Sequence, residues 1–234
     1  MSPNASATPA SQTINQSTPQ YWDEMTEDFD AIYSGQGRSP LGLFLDQWLR
    51  KDIYDRVAAT VEIVNKLGPA QTVLDVGCGT ARLGIPLAKA GHQVTGVDFS
   101  KDMLAKATEL VSQAGVGERC EFLLGDMLND IPEPLKTRQH FDAAACLGVL
   151  EYMADPMPML EKMASFSPKV IVASFPREGS FRAWIRRLRY VVQGLDCPLY
   201  FYWPKQIEEY GKRLGAKTTR LQLMGELHFA EFEF

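Results

Sequence analysis

Three carboxylates and two glycines are the residues of this chain best placed to do chemistry. The run Asp75-Val76-Gly77-Cys78-Gly79-Thr80-Ala81 sets an acid two positions before a Gly-x-Gly pair. Glycines so spaced let the backbone turn sharply and let a ligand touch the main chain. Asp98 lies 19 positions after Gly79, and Asp126 closes the run Leu123-Leu124-Gly125-Asp126. An acid beside the glycine loop suits a cationic ligand group. One at Asp98 can accept both hydroxyls of a ribose. One at Asp126 can meet the exocyclic amine of an adenine. Each also has a plainer reading. Gly-x-Gly can be a bare strand-to-helix turn, Asp126 a turn residue after glycine, and Asp98 a cap before the next helix. Ser100 already suits that last post.

A dinucleotide loop would read Gly-x-Gly-x-x-Gly. Counted from Gly77, its last position is Arg82, and Gly84 comes two residues late. Asp75 would repel a pyrophosphate. The ammonium and sulfonium of S-adenosylmethionine would supply the positive charge that Asp75 calls for. Asp98 does not separate the two, since NAD carries the same ribose.

These residues need elements to hold them. Apolar, β-branched runs read as strands at residues 72–76, 93–98, 120–124, 141–147 and 169–175. Between them, periodic stretches read as helices at 83–90, 101–114 and 156–166. Strands alternating with helices predict a doubly wound, mostly parallel sheet with right-handed crossovers. Further helices are read at 179–194 and 204–214, then strands at 216–222 and 228–234. The link between these last strands is too short for a parallel crossover, so they pair antiparallel. The expectation is a seven-stranded Rossmann-like α/β sheet with an antiparallel last strand. All three carboxylates then stand at the C-terminal ends of successive strands, where such sheets bind ligands.

As a set, these runs resemble the motifs of class I S-adenosylmethionine-dependent methyltransferases. The carriers are Val73–Thr80, Val94–Ser100, Gly125-Asp126, Phe141-Asp142 and Leu147–Tyr152. The motifs cover residues 72–175, and topology extends the likeness to Phe234. Where the family often has a third glycine, this chain has Ala81. The resemblance implies S-adenosylmethionine as cofactor. Asp75, Gly77, Cys78 and Gly79 would hold its methionine part and Asp98 its ribose. Phe99 and Met103 would lie against the adenine, with Asp126 and Met127 at its edge and Leu147 beside it. Tyr21 and Tyr33 are candidates for a lid over the cofactor. Trp22 fits helix packing better.

The acceptor side is marked more faintly. Methyl transfer needs alignment of nucleophile and methyl group, and a base only for a weak nucleophile. His92 and His140 precede strands and so fall on the edge away from the site. His228, Glu151 and Tyr152 fall on the ligand edge and are the catalytic candidates. A plain hairpin residue is the other reading of His228. Five arginines crowd Arg177–Arg189, and Arg182 and Arg186 would bind an anionic acceptor, contact a membrane surface, or lie solvated.

Composition bounds the rest. The chain has 234 residues, 45% hydrophobic and 23% charged, with a net charge of −5. Residues 1–37 hold five acids and no Lys or Arg. That acidity argues against a nucleic-acid partner, and the lack of basic residues argues against a targeting leader. No apolar run reaches the roughly 18 residues of a membrane span. Four cysteines without a Cys-x-x-Cys pair argue against a metal site and point to a reducing, cytoplasmic address. Residues 1–19 read as a disordered leader. Residues 20–234 read as one domain, with a cap built from 20–67 and 179–214. The expected activity is methyl transfer to a small molecule. An NAD(P)-dependent oxidoreductase and a non-catalytic binding protein are the alternatives.

Overall fold

The computed structural model describes residues 51–138, 140–178 and 199–234. Tyr21, Tyr33, Arg182 and Arg186, the leader and the helix expected at 179–194 lie outside the described residues. The described helices are α1 (Lys51–Leu67), α2 (Gly84–Lys89), α3 (Lys101–Gln113), α4 (Glu133–Thr137), α5 (Met157–Ala164) and α6 (Pro204–Leu214). The strands are β1 (Thr72–Val76), β2 (Gln93–Asp98), β3 (Cys120–Leu124), β4 (Ala143–Cys146), β5 (Val170–Pro176), β6 (Thr218–Met224) and β7 (Leu227–Glu233).

The strands form one sheet in the order β3-β2-β1-β4-β5-β7-β6. β1 to β5 are parallel, and β7 runs antiparallel between β5 and β6. Strand order reverses between β1 and β4, which opens the crevice where doubly wound sheets take ligands. The register puts Asp75 opposite Gly96 of β2 and Ala145 of β4.

Alternate side chains of the central strands feed two cores. Val73, Val94, Ala143, Val170 and Val172 face one side, with Val64 of α1, Leu87 of α2 and Leu83 just before α2. Leu74, Ala144, Ile171 and Phe175 face the other, with Leu135 of α4, Leu160 of α5 and Ile207 of α6. The result is a helix–sheet–helix sandwich. α1 and α6, which the sequence reading placed in a cap over the ligand edge, lie on opposite faces of the sheet. Their apolar stripes explain this. Val64 is fully buried, and Gly211 brings α6 so near β6 that a Cβ there would sit 2.0 Å from Thr219 Oγ1.

Element limits differ from expectation where backbone geometry intervenes. β4 ends at Cys146 rather than at 147, because the chain turns through Gly148 at φ +82°. β6 starts two residues late because Ala216 N–H donates to Gly211 O and closes α6. α4 and the 3-10 turns Gly117–Arg119 and Leu150–Tyr152 carry too few residues to show a period.

The edge opposite the ligand crevice is stapled by Asp142. Its carboxylate accepts from Thr72 N and Oγ1 at 2.9 Å each and from Lys169 Nζ at 2.8 Å. Burial pushes its pKa up, but those donors outweigh it and hold the group well below the usual carboxylate range. His92 lies at the same edge, as expected. It is buried, accepts Gln71 N–H at Nδ1, and bonds Asn65 through Nε2 at 2.8 Å.

Candidate active site

β1 delivers the glycine loop to the crevice. Gly77 and Cys78 N–H both donate to Val97 O, at 2.8 and 3.2 Å, so the loop folds back over β2. Gly77 and Gly79 take φ of +70° and +50°, where a side chain is strained. They differ in surroundings. A Cβ on Gly77 would lie 2.2 Å from Val149 Cγ2, whereas nothing within 4 Å faces one on Gly79. Gly79 is therefore the position that a ligand can approach. Ala81 also sits at φ +61°, fully buried. Cys78 turns away from the crevice toward β2, where a Cβ on Gly96 would be 2.7 Å from its Sγ. Burial pushes its thiol pKa up, and that of Cys146 too, so neither is a ready nucleophile.

Asp98 ends β2 and ties the loop down. One oxygen accepts Gly79 N–H at 2.9 Å and the other accepts Ser100 N–H at 3.0 Å. A carboxylate has about four acceptor sites, so local bonds of this kind and a ligand role are compatible. Ser100 caps α3, accepting Met103 N–H at 3.2 Å.

Asp75 is the least satisfied group of the site. It is 3% exposed, and no hydrogen bond reaches it from the described residues. Burial, reinforced by the Asp98 charge and opposed by Arg56, pushes its pKa up to about 7. A buried carboxylate without donors fits the ammonium group that the sequence reading assigned to it.

Asp126 is engaged locally. Its oxygens accept Leu128 N–H at 2.8 Å, Asn129 N–H at 3.3 Å and Asn129 Nδ2 at 2.8 Å, closing a turn to Asp130. Met127 and Met103 are both 3% exposed, and Met127 packs in the core with Leu135 and Phe141. Phe99 and Leu147 are half-buried at the strand ends.

The 3-10 turn after β4 carries Glu151, buried, and Tyr152, half-buried. Tyr200 N–H donates to Glu151 O at 2.8 Å, and Tyr202 Oη donates to Leu150 and Met153 carbonyls, so the turn is held from behind. His228 stands one strand away, paired with Phe175 at the end of β5. Burial and the nearby Arg177 charge lower its pKa, so it is neutral at pH 7.

Arg56, which the sequence reading did not single out, reaches these same strand ends from α1. Its Nη1 donates to Ser174 Oγ at 3.2 Å, and that oxygen also accepts Gly148 N–H at 2.9 Å. An amphipathic helix gives no sequence signal for such a residue. Among the described residues no group of three or more metal-binding side chains is present, and no helix is long and apolar enough to cross a membrane.

Residues 67–177 match a methyltransferase domain model. The chain is 30% identical over 145 residues to a ubiquinone biosynthesis O-methyltransferase of Coxiella burnetii, covering 60% of this chain and 56% of that protein. It is 33% identical over 81 residues to an uncharacterized RNA methyltransferase of Parasynechococcus marenigrum, covering 35% of this chain and 17% of that one. The chain thus spans about half the length of the first of these relatives. The magnesium protoporphyrin IX methyltransferase of Synechocystis PCC 6803, solved with bound SAH, superposes with a TM-score of 0.73 at 21% identity, over 94% of this chain and 98% of that one. The likeness to a methyltransferase domain thus spans residues 67–177, and it falls on a sheet of order β3-β2-β1-β4-β5-β7-β6 whose glycine loop is flanked by Asp75 and Asp98.

Proposed function

We propose that this chain transfers a methyl group from S-adenosylmethionine to a small-molecule acceptor. The observation that carries the reading is the buried, donor-free carboxylate of Asp75 beside an open Gly79 that Asp98 holds in place. When bound, the cofactor supplies a methyl group activated on a sulfonium.

The chain's residues bind and align. Asp75 takes the ammonium, and the Gly77–Gly79 backbone cradles the methionine part with Cys78 as its small inward residue. Asp98 accepts the ribose hydroxyls. Phe99, Met103 and Leu147 flank the adenine, and Asp126 and Met127 border its edge, Met127 through its backbone. Tyr21 and Tyr33 are assigned to the cofactor lid.

On the acceptor side, Glu151 and Tyr152 border the space beyond β4. The neutral His228 imidazole can accept a proton from an acceptor hydroxyl or amine. Arg182 and Arg186 are assigned to an anionic group of the acceptor. A small molecule is favoured because the first of the reported relatives is a quinone-pathway enzyme and the sequence is acidic. A nucleic-acid partner would need a basic face. The cytoplasmic address rests on the cysteine placement.

The test is calorimetry of the full chain with S-adenosylhomocysteine and, separately, NAD. Binding of the first and not the second is expected. Binding of NAD alone would replace this reading with the oxidoreductase one, and binding of neither would favour a non-catalytic protein.

A further inference from the structure

β6 ends the sheet, and among the described residues no strand lies beyond it. Met224 and Leu227 pair across the two-residue turn Gly225-Glu226, and the closing pair of such a hairpin is hydrogen-bonded. Bonded pairs alternate along antiparallel strands. Met224, Gln222 and Arg220 therefore turn their main-chain groups to β7, while Leu223, Leu221 and Thr219 turn theirs outward.

Natural edge strands carry devices that keep other strands off: charges, prolines, bulges or short length. β6 has none of these. It spans seven residues, Thr218–Met224, without a proline. Its register runs unbroken from Thr218 opposite Glu233 to Met224 opposite Leu227, so no bulge turns it aside. Arg220 is its one charge, and Glu231 and Glu233 of β7 hold that charge within the sheet. Leu223 is 54% exposed, and Leu221 on the same face is only half-buried against the core. The other edge, β3, has five residues and carries the exposed Glu121.

We propose that β6 pairs antiparallel with β6 of a second copy, about a two-fold axis at Gln222, and joins the two sheets into one. The strand is complementary to itself. About this axis Leu221 of each copy lies opposite Leu223 of the other, and these are residues whose N–H and C=O groups face outward. They exchange main-chain bonds, and the leucines of both copies form one apolar cluster over the exposed Leu223. On the other face the two Gln222 amides meet, each with donors and an acceptor. Arg220 falls opposite Met224, so no like charges oppose each other. Past the strand ends, the exposed Lys217 of each copy comes within one position of Glu226 of the other, and opposite charges at such distances attract. A two-fold pairing occupies both edges at once, so assembly closes at a dimer.

Sedimentation velocity of the full chain, from low to high micromolar concentration, should show a monomer passing into a dimer. Leu223→Lys sets an ammonium among the leucines and should weaken the dimer about 10-fold or more, with an unchanged thermal melt. Leu223→Pro removes an N–H that β7 does not use and should abolish the dimer. Residues opposed at a non-bonded antiparallel position have Cα atoms about 4.5 Å apart, within disulfide reach. Gln222→Cys should therefore crosslink to its twin on oxidation. Thr218→Cys would stand about 25 Å from its twin and should crosslink no more than the unaltered chain. A monomer at every concentration overturns the proposal. So does a dimer that survives both Leu223 variants, or one that Gln222→Cys traps no better than Thr218→Cys, since another surface would then form it. Should the Leu223 variants fail to fold, the comparison of the two cysteine variants decides.

Discussion

At the scale of single residues the site is built on opposed electrostatic costs. Burial holds Asp75 at a pKa of about 7, against an ordinary 3.8. The folded chain therefore binds this proton more tightly than the unfolded chain does. Its contribution is fully present below about pH 4 and is lost as pH rises through about 7, worth roughly 4 kcal/mol across that window. His92 and His228 push the other way, because burial lowers both pKa values. The measure is thus the difference between the unaltered chain and Asp75→Asn in urea melts from pH 4 to 8. The variant should lack this decline. A bound ammonium would favour the charged carboxylate, so ligand binding near pH 7 should release a proton. Calorimetry in buffers of different ionisation enthalpy reads that release directly. Asp98 has a double role, and Asp98→Ala should show it. Losing the bond to Gly79 N–H costs stability, about 1.5–3 kcal/mol for a charged hydrogen bond, and S-adenosylhomocysteine affinity should fall with it. A variant that lost stability alone would leave Asp98 with only its local role. Asp75 and Asp98 were legible in the sequence because their place depends only on strand ends. Arg56 was not. Its place at the strand ends appears only when the sheet order brings Ser174 and Gly148 together beneath α1.

The elements show the same division between what a local pattern dictates and what packing decides. The two loop glycines look alike in sequence, yet their surroundings forecast different losses. Gly77→Ala drives a methyl into Val149, so it should cost more than about 2 kcal/mol through strain and overpacking. Gly79→Ala meets open space and should cost only about 1 kcal/mol of backbone strain. Its damage should appear in ligand affinity instead. Denaturant melts and calorimetry on the two variants separate these outcomes. At the other edge, Asp142→Ala removes the acceptor shared by β1 and the start of β5, and should cost about 2–3 kcal/mol. Methyl transfer should persist in that variant at temperatures where it stays folded. Strand existence was readable throughout, because apolar runs and their spacing are local. Strand limits were not, since β4 stops at a left-handed glycine and β6 waits for a helix cap. Of the cap expected from residues 20–67 and 179–214, the described parts, 51–67 and 204–214, pack on opposite faces of the sheet. An amphipathic stripe reveals that a helix buries one side, but not which surface it is buried against.

For the molecule as a whole, ligand and fold are linked by mass action. S-adenosylhomocysteine at about 100 times its dissociation constant should add about 2.7 kcal/mol. For a chain of this size that raises the melting temperature by about 5–10 °C, and a scan with and without ligand checks it. The topology was legible from strand–helix alternation and one short link, since handedness and loop length leave few arrangements. The position of β7 has a consequence for how such a chain is made. β7 stands between β5 and β6, although β6 precedes it in the sequence. On the ribosome, β6 therefore emerges before the strand that joins it to the sheet. Until residues 227–233 are synthesised, β5 offers an open edge whose every residue is buried in the finished fold. Such an edge invites pairing with other chains. A nascent chain stalled after Glu226 should leave residues 218–224 open to protease, and a separate peptide of residues 227–233 should restore protection by filling the gap.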